Sequence, residues 1–258
     1  MNSKIKTIIR KKNKSKIVCL TAYSKNIAEE VDKHVDIVLV GDSLGSVLYN
    51  YKTTRKVTLT EMINHSKSVR LGVKKSLMVV DMPYKTYDTN TSALKNAKKV
   101  LKETKCDAVK LEGGRKIIGQ IKFLIKNRIP VMGHLGLLPQ SVKGKFKSKG
   151  KNEREIKQLI DDANLLEKNG VFAIVLECVK TQIAKKITQN LNIPTIGIGS
   201  SVHCDGQVLV TDDLLGLNKT KIKFVKRFLN IKKYINLGLK KYALEVRSKR
   251  YPSKKHSY

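Results

Sequence analysis

Short, uninterrupted apolar runs recur along this chain, and each stops at a polar or charged residue. Ile37-Val38-Leu39-Val40 ends at Gly41-Asp42-Ser43, and Leu77-Met78-Val79-Val80 ends at Asp81, with Pro83 just beyond. A run apolar at every position, not every second one, is a strand buried on both faces, which is the pattern of parallel sheets. Comparable runs occupy 16–22, 36–40, 76–81, 107–112, 129–136, 171–178, 193–199 and 207–211. Between them lie lysine-rich segments of helical periodicity at 58–71, 92–104, 116–127, 153–169 and 182–190. Ser24 and Ser92 are candidate N-caps, and Gly72 and Gly170 are candidate stops.

Eight buried strands alternating with helices predict one α/β domain over residues 1–258, a TIM (β/α)8 barrel. A doubly wound open sheet is the alternative. Residues 1–15 read as a basic helix or arm, and 218–258 as a basic helical tail. The irregular stretch 48–57 separates the second strand from the next helix. The longer one, 137–151, is basic and glycine-punctuated, and loops of that length in a compact domain are usually functional.

The net charge of +32 raises the question of nucleic acid. The lysines, however, are spread over nearly every helical segment and accompany abundant Ile and Asn, as an AT-biased genome would write onto solvent faces. With 5% aromatic residues and no Trp, a base-stacking surface is not expected. No apolar run is long enough to span a membrane, and the basic N-terminus lacks the apolar core of a secretory signal. Cys19, Cys106, Cys178 and Cys204 are scattered, so they read as free thiols in a reducing cytoplasm, not as a disulfide or zinc framework.

Strand ends in a parallel barrel gather at one rim, where active sites are built. Here they carry Asp42, Asp81, Glu112, His134 and Glu177. Lys110 and Glu112 are two apart on one strand and therefore share a face. Asp42, Asp81 and Glu112 offer hard oxygen donors without a sulfur or imidazole cluster, which favours Mg²⁺. Any one of these acids alone would read as an N-cap or a solvated rim charge. His134 is open between a ligand and a structural hydrogen-bonder. Glu177 closes a very apolar strand, a setting suited to proton abstraction. Its bland alternative is a carboxylate held by a lysine.

With these residues in place, the chain resembles the ketopantoate hydroxymethyltransferase family. The resemblance runs nearly end to end through Leu39-Val40-Gly41-Asp42-Ser43-Leu44-Gly45, Asp81-Met82-Pro83, Val109-Lys110-Leu111-Glu112-Gly113-Gly114, Gly133-His134 through Gln140-Ser141-Val142, Val175-Leu176-Glu177-Cys178-Val179, Ile193-Pro194 through Gly199, and Asp205-Gly206-Gln207, with a similar end at Tyr251-Pro252 and His256-Ser257. It implies a barrel of the phosphoenolpyruvate/pyruvate superfamily. It implies hydroxymethyl transfer from 5,10-methylenetetrahydrofolate to 3-methyl-2-oxobutanoate, giving 2-dehydropantoate and tetrahydrofolate in pantothenate biosynthesis. By the same resemblance, Asp42, Asp81 and Glu112 match the sites for one Mg²⁺ per subunit. Asp42, Ser43, Asp81, Lys110 and His134 match positions around the 2-oxo acid, and Glu177 matches the base. A cytoplasmic homo-oligomer, a decamer built as a pentamer of dimers, is implied as well. No residue is assigned to the folate.

Three departures touch the folate side and loop closure: Ser201 in place of glycine, Thr211-Asp212-Asp213 without the family's histidine, and lysine-rich 143–150 in place of a Gly/Tyr-rich segment. Two other functions stay in view. One is a folate-independent carbon–carbon lyase of the same superfamily acting on a 2-oxo acid. The other is a decayed barrel that binds polyanions.

Overall fold

The computed structural model describes residues 2–141, 148–218 and 222–258. Its strands are β1 (Ile17–Thr21), β2 (Ile37–Val40), β3 (Leu77–Asp81), β4 (Ala108–Glu112), β5 (Val131–Gly136), β6 (Ala173–Glu177), β7 (Thr195–Ile198) and β8 (Gly206–Leu209). Each pairs in parallel with the next, and β8 returns to β1, so the sheet closes into a barrel. The helices are α1 (Ser3–Arg10), α2 (Lys25–Val31), α3 (Leu44–Leu48), α4 (Leu59–Gly72), α5 (Asn90–Thr104), α6 (Ile118–Lys126), α7 (Glu153–Lys168), α8 (Thr181–Asn190), α9 (Thr211–Leu214) and α10 (Ile231–Arg247). The expected barrel is therefore the fold, and the open sheet is not.

Alternation along each strand sorts the apolar residues into two layers. Val38, Val40, Met78, Val80, Val109 and Leu111 pack outward in the layer shared with the helices. Ile37, Leu39, Leu77, Val79, Ala108, Met132, Ala173 and Val175 belong to the inner cluster. Asp81, Lys110, Glu112, His134 and Glu177 continue that inner series at two-residue steps, which places all five at the barrel's C-terminal mouth.

The other mouth is closed by α1. Ile5 and Ile8, one turn apart, are buried and join the inner cluster. Asn2 caps the helix by accepting from Lys4 N at 2.9 Å. Beyond it, Lys12 forms a buried ion pair with Asp205 at 2.9 Å. Asp205 also accepts from Thr195 N at 2.8 Å. The Asp205-Gly206-Gln207 motif thus lies at the start of β8, opposite the site, and stitches strands together there.

Several local expectations shift. The cap of α5 is Thr89, with Ser92 three residues on completing a reciprocal capping box. Ser24 sits at the N-cap of α2, but its side chain makes no capping bond. The last strand ends at Leu209, and Thr211 opens α9 instead of finishing β8. Among the described residues of the basic tail, helix is confined to α10 and a short 3-10 turn at Lys254–His256. The chain divides into two compact units, Met1–Val210, which holds the barrel, and Thr211–Tyr258. In the second unit, α10 buries none of its residues. Residues 142–147 of the lysine-rich loop lie outside the described residues.

Candidate active site

Strand register builds the site. Asp81 on β3 is paired with Lys110 on β4, Glu112 on β4 with His134 on β5, and Gly136 on β5 with Glu177 on β6. Parallel neighbours stand about 4.8 Å apart, close enough for side chains on one face to touch. Lys110 Nζ accordingly lies 3.1 Å from Asp81 Oδ1 and 3.3 Å from His134 Nδ1. His134 Nε2 lies 3.1 Å from Glu177 Oε2, while its Nδ1 is 3.5 Å from Glu112 Oε1. Asp42, just past β2, joins through its backbone, whose N–H donates to Asp81 Oδ2 at 3.1 Å. Ser43 follows, and its Oγ meets Tyr23 Oη at 2.8 Å.

The glycines around Asp42 answer a need for space, not for a special turn. Neither Gly41 nor Gly45 has a positive φ, and a Cβ on Gly45 would stand 2.5 Å from Val57 Cγ2. Gly136 differs, with φ +96° and a would-be Cβ 2.2 Å from the Glu177 carbonyl oxygen. That turn lets Leu137 N donate to the same carbonyl at 2.8 Å and fixes the end of β5 against Glu177.

Gln140, from the loop after β5, ties the rim together and was not singled out by the sequence. It is 2% exposed. Its Nε2 donates to Asp42 Oδ2 at 2.8 Å and to the Met82 carbonyl at 3.0 Å, and its backbone N donates to Glu112 Oε2 at 3.0 Å. Its Oε1 accepts from Tyr87 Oη at 2.6 Å. The reverse amide orientation would set oxygen against two acceptors, so the partners fix the orientation. One oxygen of Asp42 and one of Glu112 are thereby occupied. The available signal was a polar amide beside Pro139 in a loop too long to be a mere connection.

The cluster carries more negative charge than it neutralises. Burial, then Glu112 and Asp81, push Asp42 up to about 8. Burial also raises Asp81, against the pull of Lys110. For Glu112, burial is outweighed by His134, Lys110 and the Gln140 N–H, which hold it below the usual carboxylate range. Burial and Lys110 act to lower His134, yet Glu112 and Glu177 on either side bring it up to about 9. Lys110 is buried too, but Asp81, Glu112 and Asp42 keep it charged and raise it further. The Cys178 thiol is pushed up to about 11 by burial and by Glu177, which leaves it a poor nucleophile.

Two buried oxygens, Asp81 Oδ1 and Glu112 Oε1, accept no hydrogen bond. Lys110 reaches the first at ion-pair distance but outside hydrogen-bonding geometry, so the oxygen keeps acceptor capacity. Among the described residues, no three His, Cys, Asp or Glu groups form a ready-made metal cage. Spare oxygens, crowded carboxylates and the lack of soft donors fit a hard cation that takes few protein ligands and completes its shell with water and substrate.

Beside the cluster, and sharing Glu112 and Gln140 with it, opens a cavity of about 500 Å³. It runs past Gly113 and Gly114 towards Lys85, Lys116 and Lys149.

The family model described as ketopantoate hydroxymethyltransferase matches residues 2–254. A 3-methyl-2-oxobutanoate hydroxymethyltransferase of Pelagibacter ubique (strain HTCC1062) is 64% identical over 258 residues, covering 100% of both chains. One from Rhizobium etli is 48% identical over 246 residues, 94% of this chain and 90% of that protein. Among solved structures, a 2,3-dimethylmalate lyase of the PEP mutase/isocitrate lyase superfamily superposes with a TM-score of 0.61 at 10% identity, over 98% of this chain and 99% of its own. A phosphonopyruvate hydrolase complexed with oxalate and Mg²⁺ gives 0.63 at 9% identity, over 99% and 93%. At such identities these two show the shared barrel and nothing more.

Proposed function

The chain belongs to the ketopantoate hydroxymethyltransferase family, and from that premise we propose that it transfers a hydroxymethyl group from 5,10-methylenetetrahydrofolate to 3-methyl-2-oxobutanoate. In the balanced reaction a carbon–carbon bond forms between the substrate's C3 and the methylene carbon. The bonds from that carbon to the folate nitrogens break, and water supplies the hydroxyl. One proton from C3 and one from water end on the two nitrogens, giving 2-dehydropantoate and tetrahydrofolate.

The observation that carries this reading is the convergence of Lys110, His134 and Glu177 on the carboxylates at one barrel mouth. Glu177, the most open of the acids with a side chain 15% exposed, is assigned the C3 proton. His134 Nε2 lies at ion-pair distance from Oε2 but outside hydrogen-bonding geometry, and Oε1 is assigned that proton. Lys110 offsets the substrate's carboxylate and the charge that develops as C3 is deprotonated. Ser43, at the rim beside Asp42, is assigned a hydrogen bond to the same carboxylate. Asp42, Asp81 and Glu112 would hold Mg²⁺, directly or through water. When bound, it would act as a Lewis acid on the 2-oxo acid.

The test is product analysis with 3-methyl-2-oxobutanoate, methylenetetrahydrofolate and Mg²⁺. Formation of 2-dehydropantoate that depends on all three is expected. Turnover of a 2-oxo acid without folate would replace this reading with the lyase.

A further inference from the structure

A carbon nucleophile generated at the barrel mouth must meet its one-carbon donor from a side the protein leaves open. Below the cluster, the interior is filled by Leu39, Val79, Ala108, Met132 and Val175 and gives no entry. The cavity past Gly113 and Gly114 is continuous with the cluster through Glu112 and Gln140. At about 500 Å³ it lies within the roughly 300–1,000 Å³ that pockets for drug-sized ligands occupy. The donor is such a molecule, with a flat heteroaromatic body and an acidic tail.

The lining is of mixed charge, so its pairings decide what it can bind. Four acids face it: Glu112, Asp162, Glu155 and Asp88. Glu112 belongs to the reaction centre. Asp162 is taken by Arg115 Nε at 2.6 Å. Glu155 Oε2 accepts from the backbone N–H groups of Gly150 and Lys151, both at 3.0 Å. Those neutral donors and the nearby Lys149 keep Glu155 ionised. Against Glu155 and Asp88 stand Lys85, Lys116 and Lys149, none of which is in an ion pair with a described residue. Apart from Glu112 and the Arg115–Asp162 pair, the rim thus keeps one more ammonium group than carboxylates. The backbone of Lys149 is pinned, its N–H donating to the Cys178 carbonyl at 2.8 Å, so this lysine has a fixed root next to Glu177.

We propose that this cavity seats the one-carbon donor, its body over Gly113 and Gly114 and its tail carboxylates on Lys85, Lys116 and Lys149. The assignment rests on the transferase reading above and names the subsite that reading requires. A donor with several tail carboxylates gains more from such a rim than a donor with one glutamate, and salt erases the difference.

The test compares the full-length enzyme with a Lys85→Glu/Lys116→Glu/Lys149→Glu variant on mono- and polyglutamylated methylenetetrahydrofolate. It also follows donor-free deuterium exchange at C3 of 3-methyl-2-oxobutanoate. The expected result is a rise of about tenfold or more in KM for the polyglutamylated donor. A smaller rise is expected for the monoglutamate, with the exchange rate and the KM of the 2-oxo acid held. Arginine at the same three positions should keep the donor KM near that of the unaltered enzyme. Should the unaltered enzyme turn over and the charge-reversed variant keep its donor KM, the assignment falls alone. It also falls alone if the KM values for donor and 2-oxo acid rise together. An unaltered enzyme that makes no 2-dehydropantoate sinks the transferase reading and this assignment with it.

Discussion

Replacing Gln140 with leucine would strand two buried partners at once, Asp42 Oδ2 and the Met82 carbonyl, and leave Tyr87 Oη only its 3.5 Å contact with the Glu112 carbonyl. Each unsatisfied buried group costs about 1–3 kcal/mol. Gln140→Leu is therefore expected to lower the thermal midpoint and to weaken Mg²⁺ binding measured by calorimetry, because Asp42 is free to turn away. Unchanged Mg²⁺ affinity would show that the amide only fills space. Glu177 makes a different case, since the proposed reaction gives its side chain the C3 proton. Glu177→Gln keeps the shape and removes the basic oxygen. It should cut deuterium exchange at C3 about 10²–10⁴-fold in protein that is folded at the assay temperature. Near-native exchange in that variant would remove Glu177 from the role of base. At this scale the acids and Lys110 were legible in the sequence, because a charge closing a buried apolar run is costly unless a partner or ligand meets it. Gln140 and Tyr87 were not. An amide and a phenol in loops carry no such contradiction, and their value comes only from the partners that the fold brings to them.

Elements were legible where burial is two-sided, and less so where a helix depends on its neighbours. The strands follow from uninterrupted apolar runs. By contrast, α3 covers only Leu44–Leu48 and has no counterpart among the helices expected from the sequence, since so short a helix has little stability of its own. The N-terminal segment was read by its charge, although Ile5, Ile8 and Ile9 at helical spacing hold the more informative signal. Two of those side chains close the lower mouth of the barrel, and Lys12 just after them anchors the start of β8 through Asp205. Lys12 also donates to the Thr188 carbonyl at 2.6 Å, so α1, α8 and β8 meet at one ammonium group. Lys12→Met keeps the volume and leaves Asp205 buried without its cation. The expected loss is about 3–5 kcal/mol of stability, with donor-free exchange at C3 unchanged below the melting transition. A variant as stable as the unaltered protein would mean that the hydrogen bonds from Thr195 satisfy Asp205 by themselves. The family motif around Asp205 is thus legible as sequence, but only the barrel says that it belongs to the structural end and not the chemical one.

For the whole molecule, two electrostatic effects compete over how stability responds to pH. The net charge of +32 repels itself, and losing positive charge at higher pH would relieve that strain. Lysine and arginine titrate near 10 and above, however, and the chain has only five histidines, so this relief is small between pH 6 and 9. The site acts in that window with the opposite sign. Asp42 titrates at about 8 in the fold against its ordinary 3.8, and His134 at about 9 against 6.5. Both hold a proton in the folded state over a range where the unfolded chain has released it. Stability therefore falls as pH rises, from about pH 4 to about 8 for Asp42 and from about pH 6.5 to about 9 for His134. The metal-free protein is expected to show a thermal midpoint that declines steadily from pH 6 to pH 9, followed by calorimetry in buffers of matched ionic strength. Asp42→Asn should make the decline shallower below about pH 8 and leave the share of His134, which runs from about pH 6.5 to about 9. Mg²⁺ should mimic that substitution, because a cation on the Asp42 carboxylate replaces the proton that crowding forces onto it. A midpoint that rises across the same interval would mean that relief of the global positive charge outweighs the buried cluster.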